Sequence, residues 1–96
     1  MDEFGEQQSD DNYTLEDEYN FTTKVVGVLA GDALDYMMNI NAVLRRFHSG
    51  FIEIWMPKGN ECIVEYVTSD ISEVANFEEI KKIIHVLTDR YIELKY

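Results

Sequence analysis

Asn60-Glu61-Cys62-Ile63-Val64-Glu65-Tyr66-Val67-Thr68-Ser69-Asp70-Ile71-Ser72-Glu73-Val74-Ala75-Asn76 admits two periods, and the choice between them decides the fold. At 3.6 residues per turn, Ile63, Val67, Ile71 and Val74 form one apolar helical stripe. At two residues per repeat, Cys62, Val64 and Tyr66 alternate with Ile63, Glu65 and Val67, as in the return strand of a hairpin. We give the helical period precedence. Ile80 to Leu87 and Tyr91 to Tyr96 then become two strands joined by a tight turn at Thr88, Asp89 and Arg90, and the element order is βαβαββ. With a strand at 62–68 instead, residues 77–88 become a second helix through Phe77, Ile80, Ile84 and Leu87, and the order is βαββαβ. Either way the fold class is a two-layer α/β (α+β) domain, with two helices on one face of a four-stranded sheet.

Upstream the pattern is firmer. Thr22 and Thr23 lead into the β-branched run Val25, Val26, Val28, Leu29, which predicts a strand ended by Gly31. Asp32 is an N-cap candidate, with Asp35 three residues on. From Ala33 the apolar residues Ala33, Met37, Ile40, Leu44 and Phe47 recur at helical spacing. Arg45, Arg46 and His48 fall in the last turn, where cations complement the helix dipole, and Ser49 and Gly50 close the helix. Phe51, Ile52, Ile54 and Trp55 read as a largely buried strand that stops at Pro57-Lys58-Gly59-Asn60.

Composition bounds the rest. In 96 residues there is room for one core. The chain has 19 acids against 8 Lys and Arg, and eight of those acids lie in the first 20 residues, which hold no base. Residues 21–96 carry 11 acids and 8 bases, a net charge of −3. The chain thus divides into an acidic tail, residues 1–20, expected to be disordered because it cannot bury enough apolar surface to offset its ordering entropy, and a single domain, residues 21–96. No apolar run approaches the ~18 residues of a membrane span, and the acidic N-terminus is unlike a secretory signal. An intracellular location, cytoplasmic or nucleoid/nuclear, is the expectation. The lone Cys62 permits no internal disulfide.

Motifs that carry chemistry are missing. There is no GxxxxGK[ST] loop, and Gly27 and Gly31 lack the further glycine of a dinucleotide fingerprint. Asp10, Asn12 and Thr14 open like a calcium loop, but Leu15 and Phe21 stand where the glycine and the bidentate glutamate belong. His48 and His85 have no Cys or carboxylate at metal or nucleophile spacing and read as a helix-end cation and a solvent-facing strand residue. Adjacent Glu78 and Glu79 point apart and read as a solvated edge, and Cys62, beside Glu61, as a small core residue. No enzyme, cofactor, metal or small-molecule substrate is therefore expected.

The stretch from Ala33 to Val67 resembles the Alba superfamily, small dimeric chromatin and RNA-binding proteins whose relatives include ribonuclease P subunits. Leu34-Asp35-Tyr36-Met37-Met38 resembles the opening of that family's first helix. Phe47-His48-Ser49-Gly50-Phe51-Ile52-Glu53-Ile54 resembles its helix end, turn and second strand. Ile63-Val64-Glu65-Tyr66-Val67 lies where its second helix begins, and Ile80 to Tyr96 where its final hairpin would fall. The resemblance implies the Alba-like order βαβαββ, with the ferredoxin-like βαββαβ as the alternative, and a homodimer or a heterodimer with a more basic relative. Two departures weaken the duplex-binding surface it would imply. Ala30-Gly31-Asp32 has no lysine pair, and Pro57-Lys58-Gly59-Asn60-Glu61 keeps one cation and adds an acid, so little counterion release is left to drive DNA binding.

Two functions follow as expectations. The first is a non-enzymatic accessory subunit of a nucleic-acid or ribonucleoprotein assembly, engaging a protein partner and touching RNA weakly through Arg45, Arg46, His48, Trp55 and Lys58. A dipole-satisfied helix end beside a core tryptophan explains the same residues without a ligand. The alternative is an acidic inhibitor or nucleic-acid mimic. The tail residues Asp10, Asp11, Tyr13, Glu16, Asp17, Glu18 and Tyr19 are its docking candidates, unless they only solubilise the chain.

Overall fold

The computed structural model describes residues 17–59 and 61–96, and the side chains of residues 56–58 are not described. Strand β1 (Tyr19–Val26) is followed by a 3-10 turn (Ala30–Asp32) and helix α1 (Ala33–Leu44). Strands β2 (Phe51–Lys58) and β3 (Glu61–Thr68) come next, then a longer 3-10 segment (Ile71–Asn76) and helix α2 (Phe77–Lys95). The described residues thus form an α+β domain with one three-stranded antiparallel sheet, ordered β1-β3-β2, and two helices.

Residues 60–76 do not form the helix that their 3.6-residue stripe predicts. Glu61–Thr68 is the central strand, and only Ile71–Asn76 is helical, as a 3-10 segment. Two physical causes decide this. Gly59 adopts φ +66°, a left-handed conformation that glycine takes without a Cβ clash, and sits between the paired Lys58 and Glu61. A chain reversed that tightly returns as an antiparallel strand. The core then takes the alternate residues Cys62, Val64 and Tyr66, whereas Ile63 is 41% and Ile71 67% exposed.

The C-terminal segment departs from expectation as well. Tyr91 to Tyr96 is not a strand, and Thr88-Asp89-Arg90 is not a turn, because α2 runs unbroken through both. No glycine or proline interrupts 77–96, and the Thr88 hydroxyl stays inside the helix by bonding the Ile84 carbonyl at 2.7 Å and the Tyr36 hydroxyl at 2.5 Å. Burial pushes the Tyr36 phenol up to about 12. Tyr91 donates to Asp35 at 2.7 Å, Tyr96 donates to Asp32, and Lys95 lies 3.7 Å from both carboxylates, so the end of α2 is tied to the start of α1. The described residues therefore supply three strands and not four, in an order, βαββα, that matches the first five elements of βαββαβ and not βαβαββ.

Both helices cover one face of the sheet. Tyr36, Ile40 and Leu44 of α1 and Ile80 and Ile84 of α2 meet Val25, Ile52, Cys62, Val64 and Tyr66 in one core. β1 begins at Tyr19, two residues inside the expected tail, and Tyr19 pairs with Thr68.

Candidate functional site: an open sheet face

Strand alternation sends every second residue away from the helices. The register places them in rows across the sheet, Asn20, Val67 and Phe51 in one, Thr22, Glu65 and Glu53 in the next, then Lys24, Ile63 and Trp55, and last Val26 and Glu61. Phe51 is 45%, Trp55 58%, Ile63 41% and Val26 57% exposed, whereas Val67 is buried. An acidic row thus lies between two rows with apolar side chains. Glu53 and Glu65 are direct cross-strand partners, and like charges in that relation oppose the pairing by roughly 0.2–1 kcal/mol. Among the residues whose side chains are described, no cation pairs with either.

The opposite face carries a second polar arrangement at the end of the sheet where β2 begins. Glu73, 6% exposed, accepts from the Tyr66 hydroxyl at 2.6 Å, the Ser49 amide at 3.1 Å, the Ser49 hydroxyl at 3.3 Å and His48 Nδ1 at 3.2 Å. Tyr66 Oη also accepts from the Gly50 amide at 3.1 Å. Burial pushes the Glu73 carboxyl up, but the hydrogen bonds from Tyr66, Thr68, Ser49 and His48 outweigh it and hold the group below the ordinary glutamate value. Burial and the bond to Glu73 push the Tyr66 phenol up. Both carboxylate oxygens are partnered within the protein, so this cluster ties the α1–β2 corner to the segment before α2. It needs no ligand to satisfy it.

The structure separates the residues that the sequence grouped as an RNA-contact edge. Arg45 caps α1, Arg46 follows it, and both are exposed on the helix side of the molecule. His48 is held by Glu73. Trp55 lies on the open face, four residues or ~13 Å along β2 from Phe51. Lys58 is farther still, at the hairpin, its backbone in register with that of Glu61. No single basic surface unites them. Among the tail candidates, Asp17 and Glu18 are exposed, Tyr19 is the first residue of β1, and Asp10, Asp11, Tyr13 and Glu16 lie outside the described residues. His85 is in α2, not on a strand, and its Nε2 lies 2.8 Å from the Thr23 hydroxyl. Cys62 is a buried core residue, with its thiol pushed up by that burial.

Sequence reasoning missed Glu53, Glu65 and Ile63 as members of one surface. The alternation of Glu61, Ile63, Glu65 and Val67 against Cys62, Val64 and Tyr66 was the signal that could have revealed them. Nothing in the sequence marked Glu73. A groove of about 500 Å³ also opens between the helices, lined by Ile40, Val43, Leu87, Tyr91 and Leu94 among others. Among the described residues no three metal-ligating side chains gather, and no helix is long and apolar enough to cross a membrane.

Comparison with protein-family models, with curated proteins and with solved structures finds no match to this chain.

Proposed function

We propose that this protein is a non-enzymatic accessory subunit that engages a protein partner through the open face of its sheet, within a nucleic-acid or ribonucleoprotein assembly. One observation carries the reading. In a domain this small, Phe51, Trp55, Ile63 and Val26 stand exposed together on a sheet face that no described element covers. Trp55 and Ile63 are direct cross-strand neighbours bordered by the Glu53–Glu65 row, with Phe51 beyond it, and exposed apolar patches bordered by charge mark interaction sites. Aromatic residues such as Trp55 and Phe51 are also the types that anchor interfaces. RNA contact is expected to be secondary, because Glu53, Glu61 and Glu65 share the face with Lys24 and would repel phosphates.

The excess of acids favours a second use of the same chemistry, an inhibitor that occupies the basic surface of a nucleic-acid-binding protein in place of its polynucleotide. The two differ in one measurable respect. An accessory subunit binds its partner together with the nucleic acid, whereas a mimic is displaced by it.

The test is capture of partners from extracts of the source cells on immobilised full-length protein, beside a Trp55→Ser, Ile63→Ser variant. Both residues are exposed, so the variant keeps its fold. Loss of the captured proteins from the variant is the expected result. Equal capture by the variant would sink the assignment to this face. Added polynucleotide that releases the captured protein would favour the inhibitor.

A further inference from the structure

Resting on the reading of the open face as the interaction surface, we infer that its occupant is an extended polypeptide segment with an arginine between two apolar residues at alternate positions, lying along the strands. The rows of the face set this pattern. Phe51, beside a Val67 that is only 8% exposed, then Glu65 and Glu53, then Ile63 and Trp55 succeed one another every second residue along β2 and β3. Successive rows are thus ~6.6–6.8 Å apart, which is the same-face repeat of an extended chain. A segment running parallel or antiparallel to the strands meets apolar, acidic and apolar rows in register with its own side chains.

The acidic row selects the central residue. Glu53 and Glu65 face each other across the pair, and both offer acceptor oxygens on a surface that water reaches. A planar guanidinium can bridge two carboxylates and stack on an indole, which an ammonium does less well. Trp55 stands two residues beyond Glu53 on the same face, positioned for that stacking. Charge also excludes other occupants. A second copy laid face to face would bring four glutamates of the two acidic rows together, and a polynucleotide would bring phosphates to them.

The experiment uses the full chain and two capped heptapeptides with leucines at positions two and six, serines elsewhere, and either arginine or glutamate at the centre. Trp55 is the sole tryptophan, so its emission reports binding directly, and amide shifts of β2 and β3 locate it. The arginine peptide is expected to move the amides around Glu53, Trp55, Ile63 and Glu65 and to bind at least tenfold more tightly than the glutamate peptide. In Glu53→Gln, Glu65→Gln, which keeps the size of both side chains, that preference should vanish. Equal binding of the two peptides, or a preference that survives in the double variant, overturns the arginine assignment while leaving the apolar face as an interaction surface. Absence of shifts on β2 and β3 with either peptide at millimolar concentration overturns the inference outright. The capture experiment above then judges the interaction reading by itself.

Discussion

The two faces of β3 are made from adjacent residues and obey opposite rules. Toward the helices, Cys62, Val64 and Tyr66 are at most 2% exposed, and the one hydroxyl among them, Tyr66 Oη, both donates and accepts. Toward solvent, Ile63 is 41% exposed and Glu65 faces another glutamate. A strand inside a stable sheet needs only one of its faces satisfied to fold. The difference teaches where to look for function. Stability is concentrated on the helix side and the Glu73 corner, and the outer face departs from what stability alone would choose.

The largest test of that asymmetry is at Gly50. A Cβ there would collide with Cζ and Oη of Tyr66, and the obstacle is a buried ring bonded on both sides. Gly50→Ala should therefore cost at least the upper end of the ~1–3 kcal/mol of ordinary overpacking, or prevent folding, as read from urea unfolding. A variant as stable as the parent would show that the corner is looser than its geometry.

Tyr66→Phe is the next. It removes a donor from Glu73 and an acceptor from the Gly50 amide, at ~1–3 kcal/mol for each buried group left unpaired. The sign of its pH dependence follows from Glu73. That carboxyl is lowered in the folded protein, so its ionisation contributes stability above the ordinary glutamate value of 4.5, which is lost as pH falls through the lowered value. With the Tyr66 donor gone the lowering shrinks. Acid unfolding should then begin at a higher pH, and the gap between variant and parent should narrow from pH 7 toward pH 3. A gap independent of pH would remove Glu73 from the account.

The neighbours Val64 and Ile63 give the most direct comparison. Val64 is fully buried, and Val64→Ala deletes two methyl groups at ~0.8 kcal/mol each plus a cavity term, about 2 kcal/mol in all. Ile63→Ala, one residue away, should stay within ~0.5 kcal/mol by thermal unfolding, as exposed positions do. Equal costs at the two positions would mean that the outer face is covered in solution.

The same pair explains how much of the fold the sequence disclosed. Helix α1 was legible because Ala33, Met37, Ile40, Leu44 and Phe47 mix three- and four-residue spacings, which share one face in a helix but fall on both faces of a strand, although the core takes Tyr36 with Ile40 and Leu44. Residues 61–68 were misread because a four-residue spacing belongs to both periods. Ile63 and Val67 share a face in a helix and in a strand, so they could not discriminate between the two. The discriminating residues were Cys62, Val64 and Tyr66, together with a two-residue Gly59-Asn60 hairpin signal. The C-terminal error was the converse. Thr88-Asp89-Arg90 has turn-like composition, but the Thr88 hydroxyl is satisfied by Ile84 and Tyr36, contacts visible only in three dimensions. Arg45, Arg46, His48, Trp55 and Lys58 lie apart for a geometric reason. Proximity in sequence across a helix end and a strand puts residues on opposite layers.

The smallest effect is the most telling about the outer face, because its expected sign is positive. Glu65→Thr replaces a carboxylate set against Glu53 on one side and Thr22 on the other with a β-branched residue suited to a strand. Relief of the cross-strand repulsion should raise stability by about 0.2–1 kcal/mol. The gain should shrink as salt is added, since the pair lies where ions can screen it. Glu53→Thr should give a similar gain, and the double substitution should add little beyond either single one, because both remove the same interaction. Additive, salt-insensitive gains would reduce the result to strand propensity and leave the acids without a special role. A non-additive, screened gain would show that the sheet carries two opposed charges at a cost to its own stability, which is the condition under which an incoming guanidinium is drawn to that row.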